Sequence, residues 1–192
     1  LFSKGRLCNT AFSFDGNVNN KTLAGVITST TNHVIAANRV LSPLKVPILS
    51  NSATSTVLSD KDSYPYFART VPPDNMQIDV IVRLLKEKNW DSASVIYSAD
   101  TYGKNLYDYF LTRAKATQTC AGAQIAIPTL ATVEQAKNAI NYIESNSKSK
   151  VIILMASDPR TVLQAAKELN VLDKYVWIGT DSWGTSAKVV QG

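Results

Sequence analysis

Histidine, cysteine and long apolar segments are scarce in this sequence of 192 residues, and each scarcity excludes a class of protein. One histidine and two cysteines cannot supply the four clustered ligands of a structural zinc site. The longest uncharged apolar run, residues 151–156, is too short to cross a bilayer. Basic residues outnumber acidic residues by 20 to 15, but they are scattered singly, so nucleic acid is not an expected partner.

The sequence also lacks the short motifs that mark common enzymes. No glycine-rich phosphate-binding loop and no Gly-x-Ser-x-Gly nucleophile motif follows a predicted strand. His33, the one histidine, lies beside Val34 and Ile35 in a predicted helix, where a packing role is commoner than a catalytic one. We therefore expect neither an enzyme nor a cofactor.

Hydrophobic residues make up 45% of the chain and charged residues 18%, as in soluble globular proteins. Short β-branched or apolar runs alternate with segments whose apolar residues recur at helical spacing. The predicted strands cover residues 23–27, 46–50, 93–97, 124–127, 151–155 and 175–179, and the predicted helices cover residues 31–41 and 75–88 and segments around 106–114, 133–143 and 162–169. This alternation is typical of an α/β fold with parallel sheets and helices on both faces.

A division of the chain is predicted at Pro72 and Pro73, because two prolines disfavour helix in the residues before them. The residues after them carry four predicted helices and four predicted strands, enough for a nearly complete layered lobe. The residues before Pro72 carry only two convincing strands and one helix, too little to close a core. We therefore assign residues 1–72 to part of one lobe and residues 73–192 to a second lobe, and interpret the chain as a fragment with an incomplete first lobe.

Polar side chains follow the predicted strands, at the edge where open parallel sheets bind ligands. All residues of 28–31 carry hydroxyl groups, and several residues of 50–55 do as well. Such hydrogen-bond donors near the start of a helix suit a carboxylate. Asp74 and Asp181 suit an ammonium group, and the ring of Tyr102 suits a cationic or aliphatic part of the same ligand. Each residue taken singly is more often a helix cap, but together they predict a zwitterionic ligand.

Several motifs resemble the ligand-binding domain of metabotropic glutamate receptors, which are class C G-protein-coupled receptors. They stand in the order of that family, at close to its spacing: SATS at 52–55, LSDK at 58–61, YFARTVPPD at 66–74, NW at 89–90, DTYG at 100–103 and GTDSWG at 179–184. The resemblance covers residues 23–192, whereas residues 1–22 would correspond to a variable loop.

The resemblance implies a bilobed clamshell of the periplasmic-binding-protein type I class on the extracellular side of the cell membrane. It also implies an α-amino acid ligand, with L-glutamate expected, bound between two lobes that close around it. The expected partners are a second copy in a homodimer and a G protein reached through a membrane domain outside this chain. The alternative is a periplasmic amino-acid-binding protein of a transport system.

The resemblance also implies the ligand contacts. The predicted site comprises Ser52, Ala53 and Thr54 of the SAT motif, together with Asp74, Tyr102 and Asp181. A serine that opens the first helix in the family corresponds to Thr31 when counted back from Pro47 and to Asn32 when counted forward from Gly25, and we take Thr31 because it keeps the hydroxyl donor.

Departures from the family pattern favour α-amino-acid recognition in general over glutamate in particular. Ser182 replaces a glycine, and Ser186 stands where some members have an arginine for the distal carboxylate. The family pattern places Cys8 in an intersubunit disulfide and Cys120 in a bridge to a following cysteine-rich domain, and a disulfide between the two is the alternative. Asn20 begins an Asn-x-Thr glycosylation triplet.

Overall fold

A computed structural model describes residues 23–156 and 158–183. The chain divides into two compact units between Asp74 and Asn75. The predictions for Cys8, Asn20 and the variable loop at residues 1–22 lie outside the described residues, as does Ser186. Within the described part of the chain, no helix is long and apolar enough to span a membrane.

The first unit is a three-stranded parallel sheet with helices on one face. Strand β1 is Val26–Thr28, helix α1 is Thr31–Leu41, β2 is Ile48–Ser50, a 3-10 helix covers Thr56–Ser59, and β3 is Phe67–Arg69. The strands lie in the order β1-β2-β3, and all pairs are parallel. Thr28, Ser50 and Arg69 are aligned at the carboxyl edge of this sheet.

The prediction of only two strands before Pro72 was wrong, because β3 adds a third. This strand is three residues long, shorter than the runs of four to eight residues by which buried strands are recognised. With it, the first unit does close a small core, formed by Val34, Ile48, Ala53, Leu58 and Phe67. On the opposite face of the sheet Ile27 is 75% exposed, so the described residues cover one face only.

The second unit is a parallel sheet covered on both faces. Its elements are α2 Asp74–Glu87, of which the first residue, Asp74, still belongs to the first unit, β4 Ser92–Ser98, α3 Thr101–Thr117, β5 Cys120–Ile127, α4 Val133–Asn146, β6 Val151–Met155, α5 Arg160–Glu168 and β7 Val176–Gly179. The strand order is β5-β4-β6-β7, with every pair parallel. The predicted α/β fold is confirmed.

Two separate cores explain why the sheet of the second unit is stable. Apolar side chains of α2 and α3 pack on one face, around Phe110, and those of α4 and α5 pack on the other, around Ile140. All five residues of β6 are buried because this strand is central and faces helices on both sides. The carboxyl ends of the strands are thereby held as a fixed edge on which loops can present side chains.

Candidate ligand-binding site

The SAT segment follows β2 in the first unit and turns back over the carboxyl edge of the sheet. Ser52 is exposed, Ala53 is fully buried and Thr54 is half-buried. The backbone N–H of Asp74 donates to the Thr54 carbonyl at 2.9 Å. The structure therefore brings together four of the predicted site residues, Ser52, Ala53, Thr54 and Asp74, in one unit.

Arg69 stabilises the same segment from its carbonyl side. Its Nη1 donates to the carbonyls of Ala53 at 3.2 Å and Ser55 at 2.8 Å, and its Nη2 donates to Ser59 Oγ. Burial lowers the pKa of the Arg69 guanidinium, and the carboxylate of Asp74, which is only 5% exposed, acts in the opposite direction. The guanidinium is thus surrounded by the oxygen acceptors that its fork of N–H groups can satisfy.

Thr31 is the first residue of α1, separated from β1 by two residues, and it is half-buried. The N-cap residue of this helix, Thr30, does not accept a hydrogen bond from the first turn. Its hydroxyl instead lies 3.1 Å from His33 Nδ1, and the Ser29 hydroxyl lies at the same distance. An N-terminus without a side-chain cap keeps N–H donors available for an anion.

The starts of α3 and α4 are capped by the side chains of their N-cap residues. Asp100 accepts the Gly103 N–H at 2.8 Å at the start of α3, and Thr132 forms a capping box with Gln135 at the start of α4. At the start of α5 the N-cap residue, Pro159, makes no side-chain cap, although Asp158 accepts the Arg160 N–H at 3.1 Å. The caps of α3 and α4 occupy the N–H groups that α1 leaves available.

Tyr102 and Asp181, the two predicted contacts of the second unit, meet at its carboxyl edge. The Tyr102 hydroxyl lies 2.5 Å from Asp181 Oδ1, to which it donates, and 2.9 Å from Thr180 Oγ1. Asp181 is exposed, so its carboxylate can accept further hydrogen bonds from a ligand. A carboxylate oriented by a phenol in this way suits an ammonium group.

Gln77 on α2 fixes the position of Asp181, and the sequence analysis missed it. Its Nε2 donates to Asp181 Oδ1 at 3.3 Å, and its Oε1 accepts the Asp181 backbone N–H at 3.1 Å. The two residues are 104 positions apart. No local pattern marks such a pair, because only the packing of α2 beside the end of β7 brings them together.

A small cavity of about 140 Å³ lies at the carboxyl ends of β4, β5 and β6. Its walls include Ile127, Pro128 and Leu130 together with Asp158. Arg160 hydrogen-bonds the Asp158 side chain and thereby lowers the pKa of this carboxyl group. The cavity is lined by both apolar and polar side chains, and its one carboxylate is already paired.

Metal binding has no support in the described residues, where no group of three or more His, Cys, Asp or Glu side chains could hold an ion. Cys120 opens β5 with an exposed thiol. Its accessibility is compatible with the predicted bond to another domain and does not test it.

Comparisons with known proteins identify the family. The family described as "Receptor family ligand binding region" matches residues 9–192. G-protein coupled receptor family C group 6 member A of Carassius auratus is 30% identical over 164 residues, which are 82% of this chain and 19% of that protein. The metabotropic glutamate receptor of Drosophila melanogaster is 33% identical over 149 residues, 77% of this chain and 15% of that protein. Metabotropic glutamate receptor 4 of Mus musculus is 28% identical over 172 residues, 88% and 19% respectively.

The chain spans less than a fifth of the length of these relatives. The relatives are receptors and not enzymes. Because the matches cover most of the chain, they confirm the resemblance expressed by the SAT, VPPD, DTYG and GTDSWG motifs. The chain belongs to the receptor family ligand-binding regions, and it is a class C receptor ligand-binding region of the metabotropic glutamate receptor type.

Proposed function

We propose that this chain is part of an extracellular receptor domain that binds an α-amino acid, with L-glutamate the expected ligand, between two lobes. The observation that carries the proposal is the complementary chemistry of the two units. The first presents hydroxyls beside a helix N-terminus without a side-chain cap, and the second presents an exposed carboxylate. An α-amino acid has a carboxylate and an ammonium group that suit these two surfaces.

The carboxylate end of the ligand is assigned to the first unit. Thr31 begins α1, and Ser52 and Thr54 follow β2, which is the neighbour of β1 in the sheet. Hydroxyl donors and the positive end of the helix dipole both favour an anion at this edge. A hydrogen bond to a charged group contributes about 1.5–3 kcal/mol, so a single hydroxyl has a measurable effect on affinity.

The ammonium end is assigned to Asp181, supported by Tyr102 and Gln77. Both side chains donate to the same carboxylate oxygen, Oδ1, which orients Oδ2 for a further donor. Asp74 contributes a second negative charge beside Thr54 in the first unit. Residues on both lobes would then share one ligand only when the lobes are closed, so ligand would stabilise the closed state.

The whole protein is proposed to act at the cell membrane, with this region on the extracellular side. The proposed partners are a second copy, through a homodimer that includes a Cys8 disulfide, and a G protein bound by a membrane domain outside this chain. The assignments of Cys120 to a bridge with a following domain and of Asn20 to a glycosylated site belong to the same proposal. The division into lobes at residues 1–72 and 73–192 also remains a prediction.

The experiment that tests the proposal is calorimetric titration of the purified protein, expressed with all the sequence that its gene encodes, with L-glutamate. Thr54→Ala should weaken binding by at least about 1 kcal/mol, because a hydrogen bond to the ligand carboxylate is lost. Thr112→Ala is the matched control, since Thr112 is an exposed residue of α3 whose hydroxyl bonds within its own helix, to the Asp108 carbonyl. Equal affinities of Thr54→Ala and the control would remove Thr54 from the site.

A further inference from the structure

The SAT segment is fixed by a side chain that does not belong to the predicted site. Ser50, the last residue of β2, is 0% exposed. Its Oγ donates to the Ser29 carbonyl at 2.5 Å and accepts the N–H groups of Ser52 at 3.3 Å and Ala53 at 3.0 Å. A serine hydroxyl has one donor and two acceptor positions, so this side chain is fully used.

These three hydrogen bonds join the two segments that carry the proposed carboxylate contacts. Ser29 lies two residues before Thr31, between β1 and the start of α1, whereas Ser52 and Ala53 belong to the SAT segment. The spacing between the start of α1 and the SAT segment therefore depends on one buried hydroxyl. A shift of either segment would change the distance between the two groups of donors.

Arg69 holds the opposite side of the SAT segment. The Ser50 hydroxyl accepts hydrogen bonds from the N–H groups of the SAT segment. The Arg69 guanidinium donates to the carbonyls of Ala53 and Ser55. Ser50 and Arg69 are register partners on β2 and β3, so both are anchored in the sheet. The segment is thus held from both sides before any ligand arrives, and such preorganisation lowers the free-energy cost of binding.

We propose that Ser50 and Arg69 are positioning residues that set the SAT segment and the start of α1 at the spacing required by the carboxylate of the ligand. The inference rests on the proposed function, since it takes the α-carboxylate as the group bound there. Neither side chain needs to touch the ligand. Their effect should appear as selectivity for a carboxylate over an uncharged group of the same shape.

Two other buried hydroxyls lack the hydrogen bonds that Ser50 makes. Ser94 on β4 is also 0% exposed, and its Oγ has no hydrogen-bond partner among the described residues. Thr28, the register partner of Ser50 on β1, likewise has a buried hydroxyl without a partner there. Ser94→Ala therefore matches Ser50→Ala in residue type and burial but breaks no hydrogen bond to the described residues.

The test measures the affinities of the protein, expressed with all the sequence that its gene encodes, for L-glutamate and for its α-carboxamide. Ser50→Ala should weaken glutamate binding by roughly three- to tenfold, the effect of about one hydrogen bond, and should weaken carboxamide binding less. The preference for carboxylate over carboxamide should fall accordingly. Amide hydrogen exchange at Ala53 should accelerate in the same variant and stay unchanged in Ser94→Ala.

The outcomes distinguish the inference from the function on which it rests. No binding of L-glutamate by the unsubstituted protein would overturn the proposed function with L-glutamate as its ligand. Binding with an unchanged carboxylate preference in Ser50→Ala, despite faster exchange at Ala53, would overturn the inference alone. If Ser50→Ala does not fold, Arg69→Lys decides, because one ammonium cannot reproduce the forked contacts of the guanidinium. An unchanged preference in Arg69→Lys would then contradict the inference.

Discussion

Gly103 allows α3 to begin directly against the end of β4, and Gly103→Ala should disturb the position of Tyr102. An added Cβ would lie 2.3 Å from the Ser98 carbonyl oxygen and 2.6 Å from the Ser98 nitrogen, where ordinary contacts begin near 3.4 Å. Both are backbone atoms, so the first turn of α3 must move by about 1 Å. Overpacking of this kind costs about 1–3 kcal/mol, which exceeds the gain of up to about 1 kcal/mol from replacing glycine by alanine in a helix.

The assay combines thermal melting with ligand titration. Gly103→Ala should lower the melting temperature and also weaken amino-acid binding, because Tyr102 precedes the displaced residue and orients Asp181. Gly25→Ala is the control, since its added Cβ would meet Pro47 no closer than 3.4 Å and should be neutral or slightly stabilising. Melting of Gly103→Ala at or above the control temperature would refute the packing described here for α3 and β4.

Two further predictions concern the second unit. The hydrogen bond from Arg160 lowers the pKa of Asp158 in the folded protein. The contribution of this carboxylate to stability is therefore complete above the unfolded-state pKa of about 3.9, and it is lost as the pH falls through the lower pKa of the folded state. The melting temperature should therefore fall more steeply below about pH 4 in the unsubstituted protein than in Asp158→Asn, and parallel curves would contradict this. Ile140→Ala should destabilise by about 2–5 kcal/mol in urea unfolding, because Ile140 is fully buried, while Leu130→Ala, at a position 91% exposed, should change stability by less than about 0.5 kcal/mol.

The sequence allowed prediction of those elements whose local pattern agrees with their packing. The predicted helix at residues 31–41 coincides with α1, because apolar periodicity and Pro43 define it, and the predicted strand at residues 151–155 coincides with β6. Strand β3 was missed because three residues carry too little pattern, and its pairing with β2 decides its conformation.

In the candidate site, too, residues with a local sequence motif could be predicted and residues placed only by the fold could not. Tyr102 and Asp181 could be named from motifs, and the structure places them in hydrogen-bonding contact. Gln77 and Ser50 could not, because a glutamine in a helix and a serine among many serines have no local signature. Their roles depend on which strand ends and helix starts become neighbours, and that information arises only from the fold.

The central claim is that one zwitterion is bound by hydroxyl donors at one end and by carboxylates at the other. Calorimetric titration of the unsubstituted protein with L-glutamate, glutarate and γ-aminobutyrate tests this most directly, because glutarate lacks the α-amino group and γ-aminobutyrate lacks the α-carboxylate. We predict binding of glutamate and at least tenfold weaker binding of each analogue, corresponding to about 1.4 kcal/mol or more for each lost charged contact. Equal affinity for glutamate and either analogue would contradict the account.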